Sequence, residues 1–168
     1  MRTLVIMRHA KAEASAPSDL ERRLTDRGHA DAREAGEWLG RQDITPDDAL
    51  VSGAARTTET WEDVATSAGW ELELAQSVDA LYTAGTDAAL DLIRETDDVS
   101  QTLVVIGHNP TIGLLVQLLD DGNGDEEAGN ALVAGFPTAG VAVFELDGDW
   151  SELEEAGATL VAFHTGRG

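Results

Sequence analysis

The sequence predicts an α/β fold: a three-layer α/β/α sandwich whose central sheet is mostly parallel, with a late antiparallel strand. Three observations predict it. Short uninterrupted apolar runs, Leu4-Val5-Ile6-Met7, Ala49-Leu50-Val51 and Leu103-Val104-Val105-Ile106, have the character of strands buried on both faces. Stretches with apolar residues at helical spacing separate them, and strands alternating with helices imply parallel pairing through right-handed crossovers. Each run also leads straight into cationic or imidazole residues: Arg8-His9, Gly53-Ala54-Ala55-Arg56 and Gly107-His108-Asn109-Pro110. Ligands bind just beyond the carboxyl ends of parallel strands. Two Arg and two His are therefore expected in one crevice.

The elements follow in order. Residues 3–7 form the first strand, and a polar loop from Ala10 to Arg23 follows it. Thr25 can cap a helix from Asp26 to about Gly40, with Ala32, Ala35, Trp38 and Leu39 on one face. The second strand is 49–52, and the next helix runs from about Ala54 to Ala68 with Trp61, Val64, Ala65 and Ala68 as its buried stripe. Residues 71–75 read as a short strand, and Thr86 as the cap of a helix reaching about Glu95. The fourth strand is 102–106. Asn109 then Pro110 reads as cap and first helical position of a helix ending near Leu119. Residues 120–130, rich in Asp, Gly, Asn and Glu, read as a solvated loop without the spacing of a calcium site. Gly140–Leu146 and Ala158–Thr165 are the two late strands. No repeat, linker or boundary interrupts the chain, so 1–168 is read as one domain.

Charge narrows the function. Asp and Glu number 32 against 11 Lys and Arg, a formal charge of -21. Nucleic acid is an unsuitable partner for such a surface, which would repel phosphate backbones nearly everywhere. The same repulsion disfavours casual self-association and points to a monomer. Whether the acidity reflects a high-salt environment or only composition and solubility stays open at this level. Eight of the 11 cations lie between Arg2 and Arg41, and Lys11 is the single lysine. An anionic ligand must be drawn to this N-terminal portion. There is no Cys, which removes disulfides and thiolate catalysis. Leu4–Met7 is too short for a secretory leader, and no stretch is long enough to span a bilayer; a cytoplasmic protein without a membrane partner is expected.

A lone Arg-His pair is commonly structural. Here a second His stands in the equivalent place after the fourth strand, at the positive end of a helix. Arg56 stands after the second strand, and Arg forks match phosphate oxygens. Other features read as structure: His29 as a surface residue, His164 as a satisfied sheet residue, and Trp38, Trp61, Trp70 and Trp150 as packing. Arg22, Arg23 and Arg27 could guide an anionic partner or pair with local carboxylates.

Arg8-His9-Ala10-Lys11-Ala12 resembles the signature of the histidine phosphatase superfamily, also called phosphoglycerate mutase-like. Further matches are Leu24-Thr25 with Gly28, Val51-Ser52 with Arg56-Thr57 and Thr60, Gly107-His108-Asn109-Pro110, and Phe136-Pro137-Thr138. The small size and the Arg-His-Ala-Lys-Ala form resemble the compact, SixA-type phosphohistidine phosphatases. The resemblance implies that His9 is a nucleophile forming a phosphohistidine intermediate, with Arg8, Arg56, a protonated His108 and Asn109 around the phosphate. It implies neither metal nor cofactor. Mutases and many ester phosphatases of this family carry a Glu after the third strand that protonates an alcohol leaving group. Here the stretch reads Val78-Asp79-Ala80-Leu81-Tyr82-Thr83, without that Glu. Asp79, Glu13 and Tyr82 are the substitutes available, each with a structural or solvated reading beside it. Alcohols have a pKa of roughly 15–16 and leave badly without a proton, whereas imidazole, with a reference pKa of about 6.5, needs far less help. The expected substrate is therefore phosphohistidine on a protein. The alternatives are a small phosphorylated ester, or phosphate recognition without turnover.

Overall fold

The sheet is organised around β1 (Arg2–Arg8), which occupies an interior position in a six-stranded sheet in a computed structural model describing all 168 residues. In chain order there follow α1 (Asp26–Arg41), β2 (Asp48–Ser52), α2 (Ala55–Ala68), β3 (Ala75–Val78), α3 (Ala80–Thr83) and α4 (Thr86–Arg94). Then come β4 (Thr102–Gly107), α5 (Thr111–Leu119), α6 (Glu126–Val133), β5 (Gly140–Leu146) and β6 (Thr159–Thr165). The strand order is β3-β2-β4-β1-β5-β6. β1, β2, β3 and β4 pair in parallel, and β5 runs antiparallel to both β1 and β6. The three-layer sandwich with one late reversed strand is thus the observed architecture.

The apolar runs are continuous because both sheet faces are covered, and alternate residues serve different layers. Val5, Met7, Val51, Val104, Ile106 and Val141 pack towards α1 and α2 with Leu39, Trp61 and Val64. Leu4, Ile6, Leu50, Leu103, Val105 and Phe144 pack towards α4, α5 and α6 with Ile93, Leu115 and Trp150. Trp150 is fully buried and satisfies its indole by donating to the Ser100 carbonyl at 2.8 Å. Trp38, the half-buried member of the four, stacks on His164 at 4.6 Å, and His164 in turn bonds Glu34 at 2.8 Å. No helix is long and apolar enough to cross a membrane.

Four boundaries depart from the sequence reading, each for a local reason. Residues 72–74 form a single 3₁₀ turn, and the strand lies at Ala75–Val78 instead. β3 is an edge strand paired to β2 alone, so its composition carries no apolar run. Gly85, in extended conformation, occupies the cap position assigned to Thr86, which is the first helical residue. Pro110 is already in helical conformation and α5 begins at Thr111, while Asn109 still accepts from the Gly113 N–H at 3.1 Å. The acidic stretch 120–130 is loop only as far as Asp125, whose carboxylate accepts from the Ala128 N–H and caps α6. Acidic residues in a first helical turn complement the helix dipole, so polarity alone did not separate loop from helix start. α3 is a single further turn that no apolar periodicity marks.

Helices α1 and α2 approach closely at Gly36, where an added Cβ would run into the Val64 carbonyl and lie 2.9 Å from the Ser67 Cβ. Overpacking of this kind costs about 1–3 kcal/mol. Gly36→Ala is therefore expected to lower unfolding stability by about that amount in denaturant titrations. Because α2 carries Arg56, phosphate affinity should weaken in the same variant.

Candidate active site

The pairing of β1 with β4 sets two imidazoles beside each other. Arg8 is in register with Gly107, and the His9 N–H continues the ladder by donating to the Gly107 carbonyl at 3.1 Å. His9 and His108 therefore leave adjacent strands at the same level, with ring centroids 5.4 Å apart. The His9 carbonyl is held by the Ala139 N–H, and the Ala10 N–H by Thr60 of α2. Thr57 and Thr60 donate to the Ser52 and Arg56 carbonyls, fixing the first turns of α2 against β2. Arg56, on that first turn, is thereby brought to both imidazoles.

The tautomer of His9 follows from its partner. Nδ1 lies 2.7 Å from the Ala10 carbonyl, which can only accept. Nδ1 carries the proton, and Nε2 is left with a free lone pair. Burial, reinforced by the charges of Arg56, Arg8 and Arg22 and opposed by the Ala10 bond, lowers the His9 pKa to about 4. At neutral pH the ring is an uncharged base.

His108 is held through Nε2, 2.7 Å from the Ser52 hydroxyl. Ser52 is 1% exposed, and this nitrogen is the hydroxyl's one hydrogen-bond partner. The hydroxyl hydrogen would be stranded unless it donates to Nε2, and a buried unsatisfied donor costs about 1–3 kcal/mol. Ser52 therefore selects the tautomer in which Nδ1 bears the proton. Burial, with the nearby Arg56 charge, lowers the His108 pKa to about 4. The protonated His108 expected from sequence is thus corrected for the free protein: the ring is neutral at neutral pH, and its Nδ1–H is unpartnered.

Six buried side-chain nitrogens or oxygens in the molecule lack a partner, and three of them are Arg8 Nε, Arg56 Nε and His108 Nδ1. Buried donors are normally satisfied, so three orphans on the groups surrounding one imidazole describe a place for oxygen acceptors. Arg8 is anchored by Nη1 on the Phe136 carbonyl at 3.2 Å. Asn109 spends its side chain on the same carbonyl and on Gly113. It braces the carbonyl that anchors Arg8 and keeps its second amide N–H uncommitted.

Of the substitute acids, Tyr82 has its ring edge-on to His108 at 5.5 Å. Asp79 is exposed and packs against Gly53, and Glu13 is exposed. Sequence reasoning missed Asp19, which lies in the polar loop: Arg56 reaches its Oδ2 at 3.0 Å, Arg22 its Oδ1 at 2.9 Å, and Tyr82 donates its hydroxyl to it. No local pattern marks Asp19, because two of its three partners, Arg56 and Tyr82, come from distant parts of the chain. Arg22, Arg23 and Arg27 all pair with carboxylates. His29 is half-buried between α1 and α2 against Asp63, at 2.5 Å, and is not the free surface residue expected. Eight of the 11 cations have a carboxylate within 4.0 Å; Arg8, Lys11 and Arg41 do not. Two of those three flank His9. No cluster of three or more His, Cys, Asp or Glu is arranged to hold a metal ion.

Known proteins share sequence and fold with this chain. Residues 4–79 match the histidine phosphatase superfamily (branch 1). The phosphohistidine phosphatase SixA of Escherichia coli is 32% identical over 122 residues, which cover 70% of this chain and 73% of that protein. An uncharacterized protein of Mycobacterium leprae is 33% identical across 96% of this chain and the whole of its own length. The structure of a SixA protein from Nakamurella multipartitia superposes with a TM-score of 0.84 at 34% identity, covering 98% of this chain and 96% of that one.

Ser52→Ala should leave His108 free to exchange tautomers, read as a change in its ring ¹⁵N shifts, while Ser52→Thr should retain the native pattern. Phosphate affinity is expected to fall roughly tenfold in the Ala variant, the equivalent of one lost hydrogen bond of about 1.4 kcal/mol. An unchanged ¹⁵N spectrum would show that the hydroxyl does not set the tautomer.

Proposed function

This chain belongs to the histidine phosphatase superfamily, within its SixA-type group, and from that premise we propose that it is a metal-independent phosphatase removing phosphate from phosphohistidine on a protein. The observation that carries the reading is the unencumbered Nε2 of His9 on a ring 5.4 Å from that of His108, in a neighbourhood where Arg8, Arg56 and His108 each carry an unpartnered N–H.

In the first step the His9 Nε2 lone pair forms a bond to phosphorus as the phosphorus–nitrogen bond of the substrate breaks. The departing electron pair stays on the substrate imidazole, which leaves neutral when its other nitrogen carries a proton. In the second step water attacks the phosphoryl group on His9, the pair returns to Nε2, and inorganic phosphate is released. Phosphoryl transfer asks chiefly for alignment and for charge stabilisation on the equatorial oxygens. Two guanidinium groups and the His108 N–H are the groups that would supply it. A pre-deprotonated imidazole is a competent nucleophile at neutral pH.

Two features favour phosphohistidine on a protein over a small ester. An ester needs a proton donor for its alkoxide, and the Tyr82 hydroxyl is committed to Asp19, with its pKa raised by that bond, while that of Ser52 is committed to His108. The five principal cavities also lie elsewhere, none lined by His9, Arg8, Arg56 or His108. Small ligands are usually engulfed; a side chain projecting from another protein needs no enclosing pocket. We also assign the protein to the cytoplasm as a monomer, since a surface this acidic opposes self-association.

Brief mixing with a phosphohistidine protein should leave an acid-labile phosphate on the enzyme, absent in His9→Ala and unaffected by chelators. A chelator-sensitive activity surviving in His9→Ala would overturn the reading. Because His9 is neutral above about pH 4, protonation removes its nucleophile only below that. Loss of the nucleophile should therefore appear as a fall in second-order phosphoenzyme formation only as pH approaches 4.

A further inference from the structure

The turn Asp19–Glu21, in the loop between β1 and α1, carries a carboxylate into the phosphate site. Both terminal nitrogens of Arg56 end on this one residue, Nη1 on the Asp19 carbonyl at 2.9 Å and Nη2 on its Oδ2 at 3.0 Å. Arg22 Nε binds the other carboxylate oxygen at 2.9 Å. Tyr82 donates its hydroxyl to Oδ2 and lays its ring 5.8 Å from the Arg56 guanidinium. The Arg56 side chain is 6% exposed and that of Asp19 49%. Of the two guanidinium groups beside His9, Arg8 alone is free of a carboxylate; Arg56 spends one N–H of each terminal nitrogen on Asp19 and keeps Nε and the second N–H of each unpartnered.

Resting on the reading above, we propose that Asp19 is a specificity-determining residue whose fixed negative charge disfavours small dianionic phosphates, including the inorganic phosphate product, relative to phosphohistidine on a protein.

The charge bookkeeping gives the direction. A phosphate dianion bound at the Arg56 guanidinium must approach Asp19 as a like charge, and two like charges a few ångströms apart repel even in high dielectric. Phosphohistidine protonated at its other ring nitrogen carries a compensating positive charge on the ring, so its net charge is one unit less negative than that of a phosphate dianion and the repulsion it meets is weaker. A protein substrate can also draw binding energy from contacts away from the phosphoryl group, and inorganic phosphate cannot. Three donors hold Asp19 ionised, its pKa lowered first by the Tyr82 bond, then by Arg22 and Arg56. The charge is therefore present throughout the pH range in which His9 is a nucleophile.

A residue that merely positions Arg56 would have the opposite signature, since removing it would loosen the guanidinium and weaken anion binding. The two roles separate in one titration. Inorganic phosphate binding to the full chain, measured by calorimetry at fixed ionic strength, is expected to tighten about tenfold in Asp19→Asn. It should stay within about threefold of the parent in Asp19→Glu, which keeps the charge. The kcat/KM ratio of a phosphohistidine peptide to an aryl phosphate should move about tenfold towards the aryl phosphate in Asp19→Asn. Unchanged or weaker phosphate binding in that variant, with its thermal melt intact, overturns the proposal; so does equal tightening in Asn and Glu variants. If Asp19→Asn does not fold, Asp19→Ser, equally uncharged, is read the same way. Phosphate binding needs no turnover, so a failure to form phosphoenzyme at His9 would sink the proposed function without deciding the role of Asp19.

Discussion

The arrangement depends on one backbone contact, the continuation of the β1–β4 ladder past Gly107 to the His9 N–H. Parallel strands end at a common level only when their register is fixed, and six successive residue pairs fix it here. Buried apolar side chains on both faces of these strands make slippage costly, because a shift of one residue would exchange the two core layers. The hydrophobic core therefore sets the separation of His9 and His108. Chemistry at the sheet edge inherits its precision from residues such as Val5, Val104 and Ile106, none of which would touch a substrate.

The remaining members are attached to that pair from different sides. α2 brings Arg56 in, held by Thr57 and Thr60 to the ends of β2 and to Ala10. The segment before β5 brings the Phe136 carbonyl, which fixes Arg8 and is itself fixed by Asn109. Ser52 orients His108 from beneath. Arg8, Arg56 and His108 thus each have one end tied to the scaffold and an N–H left unpartnered, which is the usual condition for a site that need not reorganise when a ligand arrives.

What could be read from sequence was what the backbone alone determines. The ends of β1, β2 and β4 were legible because buried parallel strands are written as apolar runs, and the chemistry begins where each run stops. β3 was misplaced because an edge strand such as Ala75-Gln76-Ser77-Val78 has no need of such a run. The start of α6 was hidden by acidic residues that suit a loop and a first helical turn equally. Asp19 was invisible because its role exists only when Arg22, Arg56 and Tyr82 converge on it in space. The charge state of His108 was misjudged for a related reason: proximity to phosphate argues for a cation, while burial beside Arg56 makes the free ring neutral.

The distribution of unpaired cations has a consequence for encounter. With eight cations masked by local carboxylates and a formal charge of -21, an approaching acidic protein feels net repulsion until it is within a few ångströms of Arg8 and Lys11. The Debye length shrinks from about 10 Å at 0.1 M salt to about 3 Å at 1 M, which erases the distant repulsion and spares contacts made inside the crevice. Capture of an anionic partner should consequently quicken as electrolyte is added, opposite to the slowing met by enzymes that attract their substrates through a field of favourable sign.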